Sequence, residues 1–503
     1  MKVFLMYRDR DVDLEGVPST AAALIQDLDL DTLFEAMAAG DRFLFDMARQ
    51  AVLTSLDDPG GIRYRQQILA DCLEQPTVIR ELYALAVEAI DREKRIWGGS
   101  LNRFPESSLH RSVDVLELFV GLLKRLRRIA EEHAAVVHSE GLTRFFGMVT
   151  NELDDAYLRT VEDHLERLRF HDGLVMSVDI GPANRGTHRV LRKRVGKRTW
   201  REWIGLSDRP GYVYQIPDRD QAGADALTEL KGRGLSQAAT ALAQSTDHIL
   251  AFFQMLRAEL GFYVGCLNLR DALAYKGEPT CFPEPSPAGA EMLTGRGLYD
   301  VCLSLRVRER VVGNDVMADG KALVIITGAN RGGKSTLLRG VGVAQLMMQC
   351  GMFVSAESFR ADIRQGVFTH FKREEDASLR SGKLDEELGR MSSLVDQLTP
   401  NSLVILNESF ASTNEREGSE IARQIVRALL ESGVKVLYVT HLYDLAQGFL
   451  RERQADMLFL RAERETDGHR TFRLIEGEPL PTSYGEDVYR RIFHAGVEVT
   501  AAP

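Results

Sequence analysis

The residues best suited to chemistry are Thr327 to Thr336, which read Thr-Gly-Ala-Asn-Arg-Gly-Gly-Lys-Ser-Thr. They fit the pattern glycine, four residues, then Gly-Lys-Ser/Thr. Ahead of them Ala322 to Ile326 is a short apolar run, read as a buried strand, and behind them Leu337 to Met348 reads as a helix. A strand that turns through glycines into a helix N-terminus points several backbone N–H groups at one spot, which suits an anion. In such a nucleotide site Lys334 reaches the β- and γ-phosphates and the Ser335 hydroxyl ligates Mg²⁺. Gly328, Asn330, Gly332, Gly333 and Thr336 complete the phosphate-binding set.

Two further strand ends extend the constellation. Ser402 to Leu406 is a second buried strand, ending in Asn407-Glu408, where a carboxylate is placed to polarise a water beside the γ-phosphate. Val434 to Val439 is a third, ending in Thr440-His441, whose imidazole can contact the same phosphate. Between them Ser419 to Glu431 reads as a helix with Ile421, Ile425 and Leu429 on one face and Gly433 as its stop. Strand, helix, strand predicts a parallel sheet with its loops gathered at the carboxyl edge.

The rest of the chain must carry and orient this site. Its 503 residues are enough for about two to four domains, and 44% hydrophobic with 27% charged residues is an ordinary globular composition. Five scattered cysteines, never spaced Cys-x-x-Cys, fit free thiols in a reducing cytoplasm better than disulfides or zinc. No signal peptide and no apolar run of membrane-spanning length is read, so no membrane partner is expected. Up to about Phe170 the pattern is helical: Val113 to Lys124 is one amphipathic piece, and Phe146, Val149, Leu153, Tyr157, Val161, Leu165 and Leu168 predict one long arm. Leu242, Ile249, Phe253, Leu256 and Leu260 mark a second arm. Between the arms Leu174–Ile180 and Tyr212–Ile216 read as strands around a basic stretch with Arg185, Arg189, Arg192, Lys193, Arg194, Lys197, Arg198 and Arg201 and no acid. That stretch either holds a nucleic-acid backbone, with Trp200 or Trp203 stacking on a base, or is a solvated hairpin. The net charge of −10 excludes a protein that coats nucleic acid with its whole surface, though not one confined basic contact.

Taken together, the phosphate loop, Leu-Val-Ile-Leu-Asn-Glu and Tyr-Val-Thr-His-Leu-Tyr-Asp-Leu resemble the ATPase domain of MutS proteins, the DNA mismatch-repair ATPases. Val312 to Asp315 resembles the family's segment beside the adenine, and Thr482 to Gly485 its closing motif near a dimer interface. The resemblance implies an α/β P-loop (ABC-type) ATPase domain over residues 286–503, using ATP and Mg²⁺. Before it come a helical core and lever at 1–170, a small basic clamp-like β insert at 171–220 and a second lever arm at 221–285. It further implies a homodimer with composite sites, in which Ser412, Thr413 and Asn414 of the Ser412–Gly418 loop reach the other copy's γ-phosphate, and it favours double-stranded or structured DNA as the partner of the basic stretch. A nucleotide-gated scaffold that holds a protein and never touches DNA is the alternative.

The chain departs from the family in places. Asn407 stands where an acid usually precedes the catalytic Glu; its amide can hold a metal-bound water but adds no charge, which predicts slow hydrolysis. Asn414-Glu415 replaces Ser-Thr, as in the shorter members without mismatch recognition. Lys383 and Leu384 are not the usual residues of the connecting loop. The chain reads as starting at the lever, without mismatch-reading or connector domains. Phe104-Pro-Glu106 and Phe282-Pro-Glu284 match the mismatch wedge by letter only.

Overall fold

The computed structural model describes residues 1–13, 16, 21–97, 105–170, 173–182, 186–192, 215–217, 219–373, 382–452, 454–464 and 470–480. By internal contacts the chain forms two compact units that cut across the fourfold division above: one of residues 1–3, 80–137 and 143–257, the other of 4–79, 138–142 and 258–503. Helices near the N-terminus thus belong with the C-terminal sheet.

Helical segments open the second unit: α1 (Ala21–Leu28), α2 (Leu30–Ala38), α3 (Arg42–Leu53) and α4 (Pro59–Glu74). Caps fix where two of them start. The Asp41 carboxylate accepts from Phe43 N at 2.8 Å, and Asp58 accepts from Gly61 N at 2.7 Å with Pro59 in the first turn of α4. The segment Phe4–Met6 is held by buried side chains. Tyr64 Oη donates to Phe4 O at 2.6 Å, Tyr263 Oη to Leu5 O at 2.5 Å, and Arg65 Nε to Met6 O at 2.7 Å. The Glu259 carboxylate accepts from Leu5 N and Met6 N.

The first unit contains most of α5 (Pro76–Trp97), α6 (Pro105–His133), α7 (Glu140–Glu152, from Thr143 onward), α8 (Asp155–Leu168) and the hairpin β1 (Met176–Ile180) with β2 (Gly186–Leu191). The single arm expected from Phe146 to Leu168 is two helices. Leu153 and Asp154 interrupt it, and the Asp154 side chain caps the second by accepting from Tyr157 N at 2.7 Å. An apolar stripe carries no sign of a break where the next turn keeps the same phase; the capping aspartate was the readable signal. The basic stretch itself supplies a strand that the sequence reading did not place. Strand β1 pairs antiparallel with β2, inside the basic stretch, while Gln215 and Ile216 are not in a strand and Tyr212–Tyr214 lie outside the described residues. Tilted rings of Phe119 and Phe253, 5.6 Å apart, pack α6 on α9 (Gln221–Tyr275), a helix of 55 residues whose C-terminal part belongs to the second unit. Contrary to the sequence reading, α9 is long and apolar enough to cross a membrane by composition, but 67% of its qualifying window is buried, as in a core helix.

Beyond α9 come β3 (Glu284–Ser286), β4 (Leu293–Leu298), α10 (Val301–Arg306), β5 (Asn314–Met317), β6 (Leu323–Thr327), α11 (Lys334–Gln349), β7 (Ser358–Asp362), β8 (Val367–Phe371), α12 (Lys383–Val395), β9 (Leu403–Asn407), α13 (Glu415–Glu431), β10 (Lys435–Val439), α14 (Tyr443–Glu452), β11 (Met457–Arg464) and β12 (Arg470–Glu476). They build a four-stranded sheet, β3-β7-β4-β5, and a six-stranded sheet, β12-β11-β6-β10-β9-β8. In the larger sheet β11, β6, β10, β9 and β8 are mutually parallel and β12 is antiparallel. Strands β6, β8 and β10 are buried along their whole length, which fits the apolar runs Leu323–Ile326 of β6 and Val436–Val439 of β10. Helix α11 packs on β9 and β10 and also touches α1 and α3, so N-terminal helices help to bury the helix that follows the glycine loop.

Burial inside this unit has a consequence that pH reports. Removal from water pushes the Glu259 carboxyl from its ordinary 4.5 up to about 7, against the two backbone N–H donors and Arg65, with Asp11 adding to the rise. A carboxyl that holds its proton more tightly when folded contributes stability below about pH 4.5 that is lost as pH rises to about 7. Glu259→Gln keeps an acceptor for both amides. Between pH 5 and pH 8 its thermal stability should fall by less than the wild type's, by up to about 3 kcal/mol; parallel melting curves across that range would contradict this.

Candidate nucleotide-binding site

Strands β6, β9 and β10 end side by side, so Thr327, Asn407 and Val439 open onto one edge of the sheet. The ladder continues past the strand ends: Glu408 N donates to Val439 O at 2.8 Å and Thr440 N to Ile326 O at 3.1 Å. From β6 the chain turns through Gly328 to Gly333 and enters α11 at Lys334, three residues earlier than read from the pattern. Gly328 has φ of 109°, open to glycine alone at little strain. A Cβ there would lie 2.8 Å from Ala462 N, and one at Gly332 would lie 2.6 Å from Ala462 Cβ. The β11–β12 hairpin therefore lies directly on the loop, and Ala462 is small where it must be. Asn314 ties the same hairpin to β5, accepting from Leu474 N at 2.7 Å and donating to Phe472 O at 3.1 Å.

Several of the residues named from the sequence meet here. Ser335 Oγ donates to Asn407 Oδ1 at 2.9 Å, which joins the first turn of α11 to the end of β9. Lys334 is 6% exposed, and its Nζ donates to Gly328 O and Ala329 O, each at 2.9 Å, so the ammonium clasps its own loop. Burial holds this lysine below its usual pKa range, Glu408 opposes the shift and Arg470 adds to it. Arg470 on β12 is thus a further cation near the loop, beyond Arg331 and Lys334, that pattern reading missed, because no spacing links it to the glycines. Asn330 is exposed at the tip of the turn, and Thr336 is half-buried in the first turn of α11.

Glu408 and His441 stand on neighbouring strand ends. His441 Nδ1 lies 3.9 Å from Glu408 Oε1, beyond hydrogen-bond length, and both side chains are about a third exposed. Glu408 has φ of 54° and Phe410 φ of 63°, left-handed conformations that cost non-glycine residues about 1–3 kcal/mol each. A cavity of about 480 Å³ opens beside them, lined by Thr327, Gly328, Thr440, His441, Glu415 and Tyr443 among others. Two hard oxygens, Ser335 Oγ and Asn407 Oδ1, at the mouth of a glycine loop suit Mg²⁺, which keeps several waters and needs few protein ligands.

The Ser412–Gly418 segment is less of a loop than expected. Helix α13 starts at Glu415, and Asn414 caps it, accepting from Glu417 N at 3.0 Å. Thr413 Oγ1 donates to Glu417 Oε2, while Ser412 Oγ is buried with no hydrogen-bond partner. Of the basic residues, Arg192 is exposed and donates from Nε to Ser177 Oγ at 2.8 Å. Arg189 falls on β2. Arg185, Lys193, Arg194, Lys197, Arg198 and Arg201 lie outside the described residues, as do Thr482 to Gly485.

Fold and site define an α/β domain that gathers a glycine loop, a strand-end amide and a carboxylate at the carboxyl edge of a parallel sheet. Comparison with known proteins gives that class a family. Residues 57–276 match the MutS2 N-terminal domain and residues 324–500 match MutS domain V. The chain is 34% identical over 142 residues to DNA mismatch repair protein MutS of Chloroflexus aurantiacus, a match covering 27% of this chain and 15% of that protein. It is 34% identical over 174 residues to endonuclease MutS2 of Thermus thermophilus, covering 34% and 23%. It is 22% identical over 408 residues to DNA mismatch repair protein MutS of Streptococcus mutans, covering 76% and 46%. The chain thus spans less than half the length of these curated relatives. It belongs to the MutS family.

The contact with Ala462 can be tested directly. Gly332→Ala, whose new methyl meets Ala462 Cβ and the Ala329 carbonyl, should weaken nucleotide binding by about tenfold or more in calorimetry with the helical circular dichroism unchanged. Full affinity in that variant would mean that the hairpin does not set the loop.

Proposed function

We propose that this chain binds ATP with Mg²⁺ at the Gly328–Thr336 loop, hydrolyses it slowly, and uses that cycle to control how a homodimer grips double-stranded or structured DNA. The observation that carries the reading is the 2.9 Å contact between Ser335 Oγ and Asn407 Oδ1, with Glu408 on the next residue. Ser335 would ligate Mg²⁺ directly and Asn407 would hold one of its waters; the ion, when bound, would neutralise phosphate charge.

The chain's own residues do the rest. Loop N–H groups and the N-terminus of α11 bind the phosphate oxygens, and Lys334 exchanges its loop carbonyls for them. Glu408 accepts a proton from the attacking water. His441, across the strand gap, donates to a γ-phosphate oxygen and is held near Glu408 by the register of β9 and β10. Asn407 supplies no negative charge, so Mg²⁺ is held more weakly and turnover is slow. Across the dimer, Ser412, Thr413 and Asn414 of one copy reach the γ-phosphate of the other. The N-terminus of α13, at the end of that segment, supports this. The MutS2-type match upstream and the basic hairpin support a DNA-gripping role for the first unit.

The acidic net charge of −10 favours a second reading, a nucleotide-gated scaffold for a protein partner. ATP turnover with and without duplex DNA separates the two. DNA should stimulate turnover, and charge reversal at Arg192, Lys193 and Arg194 should weaken DNA binding and flatten its salt dependence while basal turnover persists. Lys334→Ala should abolish turnover altogether. Salt-steep DNA affinity retained in the reversed variant, or turnover indifferent to DNA, contradicts the clamp.

A further inference from the structure

Behind the proposed catalytic glutamate lies a buried polar cluster that the mechanism above leaves unused. Ser409 follows Glu408, is fully buried, and is gripped from both neighbouring strands. On one side Tyr438 Oη, from β10, donates to Ser409 O at 2.6 Å. On the other, Ser409 Oγ lies 2.8 Å from Nδ1 of His370 on β8 and 2.6 Å from the His370 carbonyl oxygen. The His370 ring is fixed in turn: Nε2 is 3.0 Å from the Glu387 carbonyl, and Phe410 stacks on the imidazole at 5.5 Å with an interplanar angle of 18°.

Proton bookkeeping assigns the donors. A carbonyl only accepts, so Nε2 carries a hydrogen. Burial pushes the His370 pKa down to about 4, which keeps the ring neutral and leaves Nδ1 as an acceptor. The single Ser409 hydroxyl hydrogen therefore sits between two acceptors, Nδ1 and the His370 carbonyl. Both contacts pull the serine toward β8, while Tyr438 holds its carbonyl toward β10.

The cluster sits where backbone strain is concentrated. Glu408 and Phe410 both have left-handed φ, 54° and 63°, with Ser409 between them. Left-handed glutamate and phenylalanine persist only where surrounding contacts over-determine them.

We propose that His370, Ser409 and Tyr438 form a brace across β8, β9 and β10 that holds the strained Glu408 carboxylate in its working orientation, with His370 and Tyr438 as positioning residues. This inference rests on Glu408 being the base proposed above. A brace that only stabilises the core would change melting temperature and leave the rate per folded molecule alone.

Steady-state ATP hydrolysis by the full chain distinguishes these. Ser409→Ala and Tyr438→Phe, which remove the hydroxyl contacts without changing shape, should each lower kcat by about tenfold while KM and nucleotide affinity stay within about twofold. Added to Glu408→Gln, Ser409→Ala should lower kcat no further, because both act through one carboxylate. Wild-type kcat in both single variants overturns the brace alone, as does an equal further loss in the Glu408→Gln background. Full-rate hydrolysis by Glu408→Gln itself overturns the proposed base and the brace with it. Tyr438→Phe, the milder change, keeps the test open if Ser409→Ala does not fold.

Discussion

The hydrogen bond from Ser335 to Asn407 is the contact on which the site depends. It joins residues 72 apart in the chain, at the start of α11 and the end of β9. Neither end has freedom to drift. The β9 strand is locked in register with β8 and β10, and α11 is wedged between the sheet and helices from the N-terminal part of the chain. Because interiors are close-packed, the loop between β6 and α11 has little choice about where its backbone amides point. The geometry of the loop follows from the order of the strands.

A second constraint comes from above the loop. The β11–β12 hairpin lies so close that Gly328 and Gly332 cannot carry a Cβ without striking Ala462. It also brings Arg470 near enough to add to the burial-driven lowering of the Lys334 pKa, against the larger opposing pull of Glu408. Lys334 stays buried by satisfying two carbonyls of its own loop, contacts an arriving phosphate can replace. In the same layer the peptide after Glu408 is clamped between strands, so this edge combines a held backbone with side chains about a third exposed.

Much of this edge was legible in the sequence because its signals are local. An unbroken apolar run, a glycine turn and a helix start lie within about thirty residues, and each strand end carries its own chemistry. Long-range packing was not legible. Ala462, Phe472 and Arg470 meet the loop only because β11 pairs with β6, and no spacing announces that pairing. The N-terminal helices read as the start of a lever, yet residues 4–79 fold onto the C-terminal sheet, since an amphipathic face shows that something covers it but not what. Helix boundaries failed where a single capping side chain decided them, at Asp154 and at Asn414.

The physical core of the reading is that a neutral amide at position 407 shares one triphosphate-bound cation with Ser335. Calorimetric titration of ATP, with Mg²⁺ and with chelator, into the wild type and Asn407→Asp tests this most directly. One ATP should bind per chain, Mg²⁺ should tighten it only modestly in the wild type, and the carboxylate variant should gain about 1–3 kcal/mol in Mg²⁺-dependent affinity. An absence of nucleotide heat, or identical Mg²⁺ dependence in the two proteins, would contradict it.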